Sequence, residues 1–198
     1  MTDRLLRRNS SANWRVVGTQ LGDAAARRMD EDLVGLFSGF STDLGATTRV
    51  LSSDNAMAIL TTAMEDKLGT DQRVVHHPVA IAKLGRELST IGSGTIRPLP
   101  AGYSARVLDK FWTGINLLGV PFFQDGNISK DSSDDAVGAI FTPLALGMLT
   151  HQGWKRERQR DASLRAWELV MTADYAAFEH DDARGRALTL AAGTVATT

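Results

Sequence analysis

The chain has 198 residues, 43% of them hydrophobic, and its 22 basic and 23 acidic side chains give a formal net charge of −1. That length allows one large domain or two small ones with a sizeable core. The charge balance argues against a dedicated nucleic-acid binder, which carries a basic surplus on one face. The lack of cysteine excludes a disulfide framework and a thiolate metal site, and no apolar run reaches the roughly 20 residues that span a bilayer.

The N-terminus, "MTDRLLRRNSS", is charged and has no apolar core after its arginines, so a secretory signal is not expected. The expectation is a soluble, intracellular product. Residues 2–37 read as one long helix, with Thr2 or Asp3 supplying the N-cap oxygen and Gly39 near the end. Leu6, Val17, Leu21, Ala24, Ala25, Leu33, Leu36 and Phe37 recur at roughly helical spacing, and arginines, Arg15, Arg27 and Arg28 among them, occupy the other faces. At ~1.5 Å per residue such a helix is about 50 Å long. A compact domain of this size has a radius of gyration of about 16 Å. A rod of that length must project or lie along something outside its own domain. The alternative is two helices broken near Gly18 and Gly22, since each glycine costs about 0.5–1 kcal/mol relative to alanine.

A second helix is expected behind Ser52 or Ser53, running to Leu68 with Gly69 just beyond it and a stripe of Met57, Leu60, Met64 and Leu68, with Ile59 and Ala63 beside it. "RVVHHP" (73–78) reads as a short strand entering a turn. Pro78 then opens a third helix to about Leu88, with Ile81, Leu84 and Leu88 inward. "STIGSGTIRPLPAG" (89–102) is a surface loop. Strands follow at Tyr103–Trp112, 119–123 and Ala136–Phe141, with a turn at Asp125-Gly126-Asn127. The near-continuous apolar run Ala136–Phe141 fits a strand covered on both faces. Leu164–Phe178 alternates with period 2: Trp167, Leu169, Met171, Ala173 and Tyr175 share one face, and Glu168, Thr172 and Asp174 the other. Helical spacing also fits part of that stretch.

Catalytic constellations are not evident. His76 and His77 are adjacent on a strand and point to opposite faces, so they cannot easily share a metal. His151 and His180 are isolated in sequence. Asp131, Asp134 and Asp135 lack the spacing of a calcium loop. No serine lies in a Gly-x-Ser-x-Gly frame, and "GSG" (92–94) lacks the ending of a phosphate loop. The expectation is a protein that is not an enzyme and uses no cofactor or metal. "WKRERQRD" (154–161) is the densest charge run. As a strand it places Lys155, Glu157 and Gln159 on one face and Arg156, Arg158 and Arg160 on the other. Those arginines either form a solvated edge, locally paired to Glu157 and Asp161, or a ridge that meets an acidic surface on another subunit.

Five segments follow one another in a recognisable order: "ARRMDEDLVGLFSGFSTDLG" (26–45), "RVVHHPVAIAKL" (73–84), "GVPFFQDGNISKDSSDDAVGAIF" (119–141), "ERQRDASLRAWELVMTADYAAFEHDD" (157–182) and "GRALTL" (185–190). In this order the chain resembles the major capsid proteins of tailed bacteriophages, with their Hong Kong 97-type fold. The resemblance implies an α+β subunit. Residues 1–50 would be the spine helix of a peripheral domain with its connection, 51–153 an axial domain, and 154–198 a return to the peripheral domain through a long strand. It implies assembly with many copies of itself into pentamers and hexamers of an icosahedral head. That head would enclose double-stranded DNA without sequence-specific binding, and would be built in the host cytoplasm with portal, scaffold or decoration proteins as further partners and no membrane. The family's N-terminal arm and extended E-loop precede the spine helix, whereas here Met1 stands almost at that helix. The expectation is a fragment of a larger product or a reduced subunit, with no residue assigned to a Lys–Asn cross-link. Arg15, Arg27, Arg28, Trp154, Arg156, Arg158, Arg160 and Asp161 are the candidate subunit-interface residues. Two other readings of the same sequence are an encapsulin-like nanocompartment shell, and a small α+β hydrolase or binding module using His76 or His77.

Overall fold

A computed structural model describes residues 3–90 and 115–193, with the backbone only for residues 3–12, 89 and 90. Helix α1 runs Asp3–Val34 and continues into a 3-10 turn over Gly35–Gly39; α2 is Ser53–Glu65 and α3 is Pro78–Thr90. The strands are β1 (Arg73–His76), β2 (Ile115–Leu117), β3 (Val120–Gln124), β4 (Asp135–Phe141), β5 (Leu146–Asp161), β6 (Ala166–Glu179) and β7 (Gly185–Ala191). The α+β class expected from the sequence is what the structure has. The expected loop at 89–102 begins within the last turn of α3, and the rest of it lies outside the described residues, as does the expected strand at Tyr103–Trp112.

The chain divides into two compact units. Residues 33–147 and 179–198 make one of them, a layered body. Its five-stranded sheet has the order β2-β3-β1-β4-β7, with β1 and β3 parallel and every other neighbour antiparallel. Alternation along the strands sorts the core into two layers. Val74, Phe122, Ile140, Leu188 and Leu190 pack with Leu51, Ile59, Leu60, Ile81 and Leu84 from the helical side. Ala139 and Ala187 face the opposite way and join Phe37, Phe40 and Ile128. Central β4 is therefore covered on both faces, as its apolar run requires.

Both helices of the body start where capping chemistry puts them. The Ser52 hydroxyl accepts from the Asn55 amide at 3.2 Å and caps α2. Pro78 opens α3, where its missing N–H costs nothing. The inward stripe expected for α2 needs correction: Ala56, Ile59, Leu60 and Ala63 are buried, while Met57 and Met64 are exposed.

The other unit consists of residues 1–32 and 148–178. In it α1 is continuous, so Gly18 and Gly22 do not break it. Its 32 residues are about 48 Å long. β5 and β6 form a two-stranded sheet of their own. The unit boundaries differ from those expected from the sequence. Leu33–Val50 lies in the body rather than with the long helix, and so does 179–198. The reason is visible at β7: "GRALTLA" pairs along the whole of β4, from Asp135↔Ala191 to Phe141↔Gly185. The chain therefore enters the ribbon near Met148 and leaves it after Phe178.

Candidate assembly surface

A two-stranded ribbon is marginal alone in water and needs something to cover one face. Burial along β6 alternates with period 2: Trp167, Leu169, Met171, Ala173 and Tyr175 are half-buried, and the residues between them are exposed. Along α1 the buried or half-buried positions include Trp14, Val17, Leu21, Ala25, Met29 and Asp32, a narrow stripe at spacings of three and four. The two stripes meet. Val17 and Leu21 line an open hollow of about 440 Å³ together with Trp167, Glu168, Leu169 and Val170. Farther along, the Trp154 indole N–H donates to the Met29 sulfur at 3.2 Å, and the Trp154 ring lies 6.1 Å from that of Tyr175. The Tyr175 hydroxyl donates to Asp32 at 2.7 Å, and this bond is the main cause that raises the phenol's pKa.

The candidate interface residues fall into distinct situations. Arg15 and Arg27 are exposed along α1. Arg28 is engaged within its own subunit, 2.8 Å from Asp32, the carboxylate that also holds Tyr175. Trp154 is 39% exposed, and its polar edge is spent on Met29. Arg156, Arg158 and Arg160 alternate along β5 and are all exposed. Arg158 lies over the Trp167 ring at 6.0 Å, a cation–π contact that also leaves its guanidinium edge exposed. On the opposite side Lys155 pairs with Glu157 at 2.7 Å, which raises the lysine's pKa and lowers that of the glutamate. The division of this run between two faces is thus as the sequence predicts. Asp161 is the turn's anchor: it accepts from the Ser163 hydroxyl at 2.6 Å and from the Ser163 and Leu164 amides, and these bonds lower its pKa. The structure brings Arg28 and Trp154 into one cluster around Tyr175, Met29 and Asp32, and Arg158 onto Trp167.

Sequence reasoning missed the exposed apolar groups of the ribbon, Leu149 and Leu164, each 67% exposed. Met29 and Asp32 were missed as well, and the spacing of four from Ala25 to Met29 and three from Met29 to Asp32 could have placed them on the same stripe.

His76 and His77 are accounted for as structure. His76 is fully buried; its Nε2 bonds the Leu188 carbonyl at 3.0 Å and its Nδ1 accepts from the His77 amide at 2.8 Å. Both ring nitrogens are committed, which fixes the neutral Nε2–H tautomer. Burial lowers its pKa to about 4. His77 is half-buried, and its Nδ1 accepts from the Val79 amide at 3.2 Å. Among the described residues no group of three or more potential ligands could hold a metal ion, and no helix is long and apolar enough to cross a membrane.

No family model and no curated protein matches the chain. Solved structures do. A chain in the structure of Mycobacterium phage Che8 superposes with a TM-score of 0.64 at 17% identity, over 95% of this chain and 67% of that one. The holo-SrpI encapsulin complex of Synechococcus elongatus gives a TM-score of 0.66 at 14% identity, over 100% of this chain and 74% of that one. The capsid of cyanophage P-SCSP1u gives 0.62 at 13% identity, over 96% and 70%. This chain thus spans about two thirds to three quarters of the length of these structures. With its long helix, its ribbon and its layered body, the chain has the Hong Kong 97-type capsid fold.

Proposed function

We propose that the protein is a structural shell subunit, the major capsid protein of a tailed-phage head, which self-assembles into pentamers and hexamers around double-stranded DNA. The observation that carries this reading is the superposition of nearly the whole chain on capsid chains. In this reading the unit of α1 and the β5–β6 ribbon is the peripheral domain, and the sheet-and-helix body is the axial domain. Arg15, Arg27, Arg156, Arg158 and Arg160 face carboxylates of neighbouring copies, while Arg28, Trp154 and Asp161 hold their own subunit in shape. Heterologous contacts of this kind close into rings, and several weak ones suffice because closure multiplies them. Portal, scaffold and decoration proteins join in the host cytoplasm, and the finished protein resides in the virion capsid.

The ribbon's exposed apolar groups support the same reading. Leu149 and Leu164, each 67% exposed, are large apolar groups of the ribbon in water. The commitment of both His76 nitrogens weighs against a hydrolase that depends on that residue.

The encapsulin match, with the whole of this chain covered, favours a second reading, a nanocompartment shell that houses a protein cargo. Negative-stain imaging of the purified protein tests both against an isolated enzyme: closed shells are expected, and a monomer or dimer without shells would overturn both. The contents then separate the two, nuclease-protected DNA for a phage head and a co-purifying enzyme for a nanocompartment.

A further inference from the structure

We propose that the segment Thr42–Arg49 is an edge guard, which occupies the outer hydrogen-bonding edge of β7 and keeps the sheet of one copy from pairing with the sheet of another. β7 is the last strand of its sheet, so half of its backbone groups point away from β4. Each outward N–H has a taker. The Gly185 amide donates to Asp182 O, closing the 3-10 turn before the strand. The Ala187 amide donates to Thr42 O at 2.9 Å, and its carbonyl accepts from the Leu44 amide at 2.9 Å. The Thr189 amide donates to Asp43 Oδ1 at 3.0 Å, and its hydroxyl to Asp43 Oδ2. The Ala191 amide donates to Arg49 O at 2.8 Å.

The covering segment is not a sixth strand. It touches β7 through one isolated bridge, Asp43↔Ala187, and one of its acceptors is a side chain. Asp43 Oδ1 also accepts from the Gly45 amide at 2.7 Å, which curls the segment back on itself. Gly45 lies so close to the strand that a Cβ there would fall 2.2 Å from Thr189 O and 2.4 Å from Thr189 N. Thr48 takes a left-handed φ of 65°. A regular extra strand would satisfy the same donors but present a fresh edge of its own. An irregular strap satisfies them and presents none. In a protein that meets many copies of itself, such a device confines association to side-chain surfaces. The inference does not rest on which shell, if any, the protein builds.

The test uses the full-length protein with Asp43→Ala and, separately, Gly45→Val. The first removes the acceptor for Thr189 and Gly45, and the second places side-chain atoms against β7's backbone. Amide hydrogen exchange at Ala187 and Thr189 should accelerate at least about tenfold at unchanged far-UV circular dichroism. The freed edge should then yield irregular, thioflavin-binding species in place of the parent's products. Asp43→Asn, which keeps one acceptor oxygen, should fall between the two behaviours and serves where the alanine variant does not fold. Faster exchange with the parent's assembly products unchanged would overturn the proposal, as would unchanged exchange in both variants.

Discussion

The Tyr175 hydroxyl and the Asp32 carboxylate, 143 positions apart in the chain, meet at 2.7 Å and tie the far end of β6 to the last turns of α1. Arg28 holds the same carboxylate from the helix side, so a cation, an anion and a phenol form one chain across the contact. Replacing Tyr175 by Phe keeps the ring against Trp154 and removes only the bond. The expected outcome is faster hydrogen exchange along β6 by less than about tenfold, since a partly exposed hydrogen bond is a small net contribution. Exchange in β4 and β7 should not change, and mass spectrometry of peptic fragments resolves the two regions.

His76 makes the body acid-sensitive. Its Nδ1 accepts from the His77 amide, so a proton placed there would turn an acceptor into a donor facing a donor. The folded-state pKa, about 4, lies below the ordinary value of 6.5. The stabilisation from keeping the ring neutral is therefore fully present above pH 6.5 and is lost as pH falls toward 4. The loss amounts to about 3 kcal/mol at most. Urea unfolding midpoints at pH 7.5, 6 and 4.5 should fall in that order, and His76→Gln should flatten this part of the dependence.

Gly138 faces that same imidazole. A Cβ at this position would lie 2.3 Å from His76 Cδ2 and 2.4 Å from Val75 O, with backbone on one side and a doubly bonded ring on the other. Neither neighbour can move cheaply. Gly138→Ala should cost about 2–3 kcal/mol, read as a lowered denaturation midpoint, and the reduced variant Gly138→Ala with His76→Ala should recover part of it.

Charge reversal tests the arginine ridge. Arg156→Glu with Arg160→Glu leaves Arg158 on Trp167 and so spares that cation–π contact. Assembly should fail at unchanged circular dichroism, and assembly of the parent should weaken with added salt because exposed charges are screened. Normal particles from the double variant would remove these residues from the interface.

Much of the architecture was legible because it depends on periodicity. The alternation from Trp167 to Tyr175 placed one face of β6 inward, and the burial follows it residue by residue. Ser52 and Pro78 marked two helix starts through groups that have one obvious use. The long helix was legible from the lack of proline, although its glycines left a break open. What could not be read was decided by contacts distant in sequence. "GRALTLA" alternates well enough for a strand, but nothing in it says that its partner is β4 rather than β6. The stripe on α2 turned so that Ala56, Ile59, Leu60 and Ala63 are buried, while the larger Met57 and Met64 are exposed. The bonds that Asp161 makes to Ser163 and that Arg28 makes to Asp32 were not legible in the sequence. Tyr175, Met29 and Asp32 were invisible as a cluster because a helix and a strand must first be laid side by side.

Sedimentation velocity of the purified full-length protein, followed by imaging of the fastest species, tests the central claim most directly. A shell subunit should sediment in the megadalton range, far above the 21.4 kDa of one chain, as closed particles of uniform diameter. A single slow boundary at the mass of a monomer or dimer, persisting across protein concentration and salt, would contradict the account.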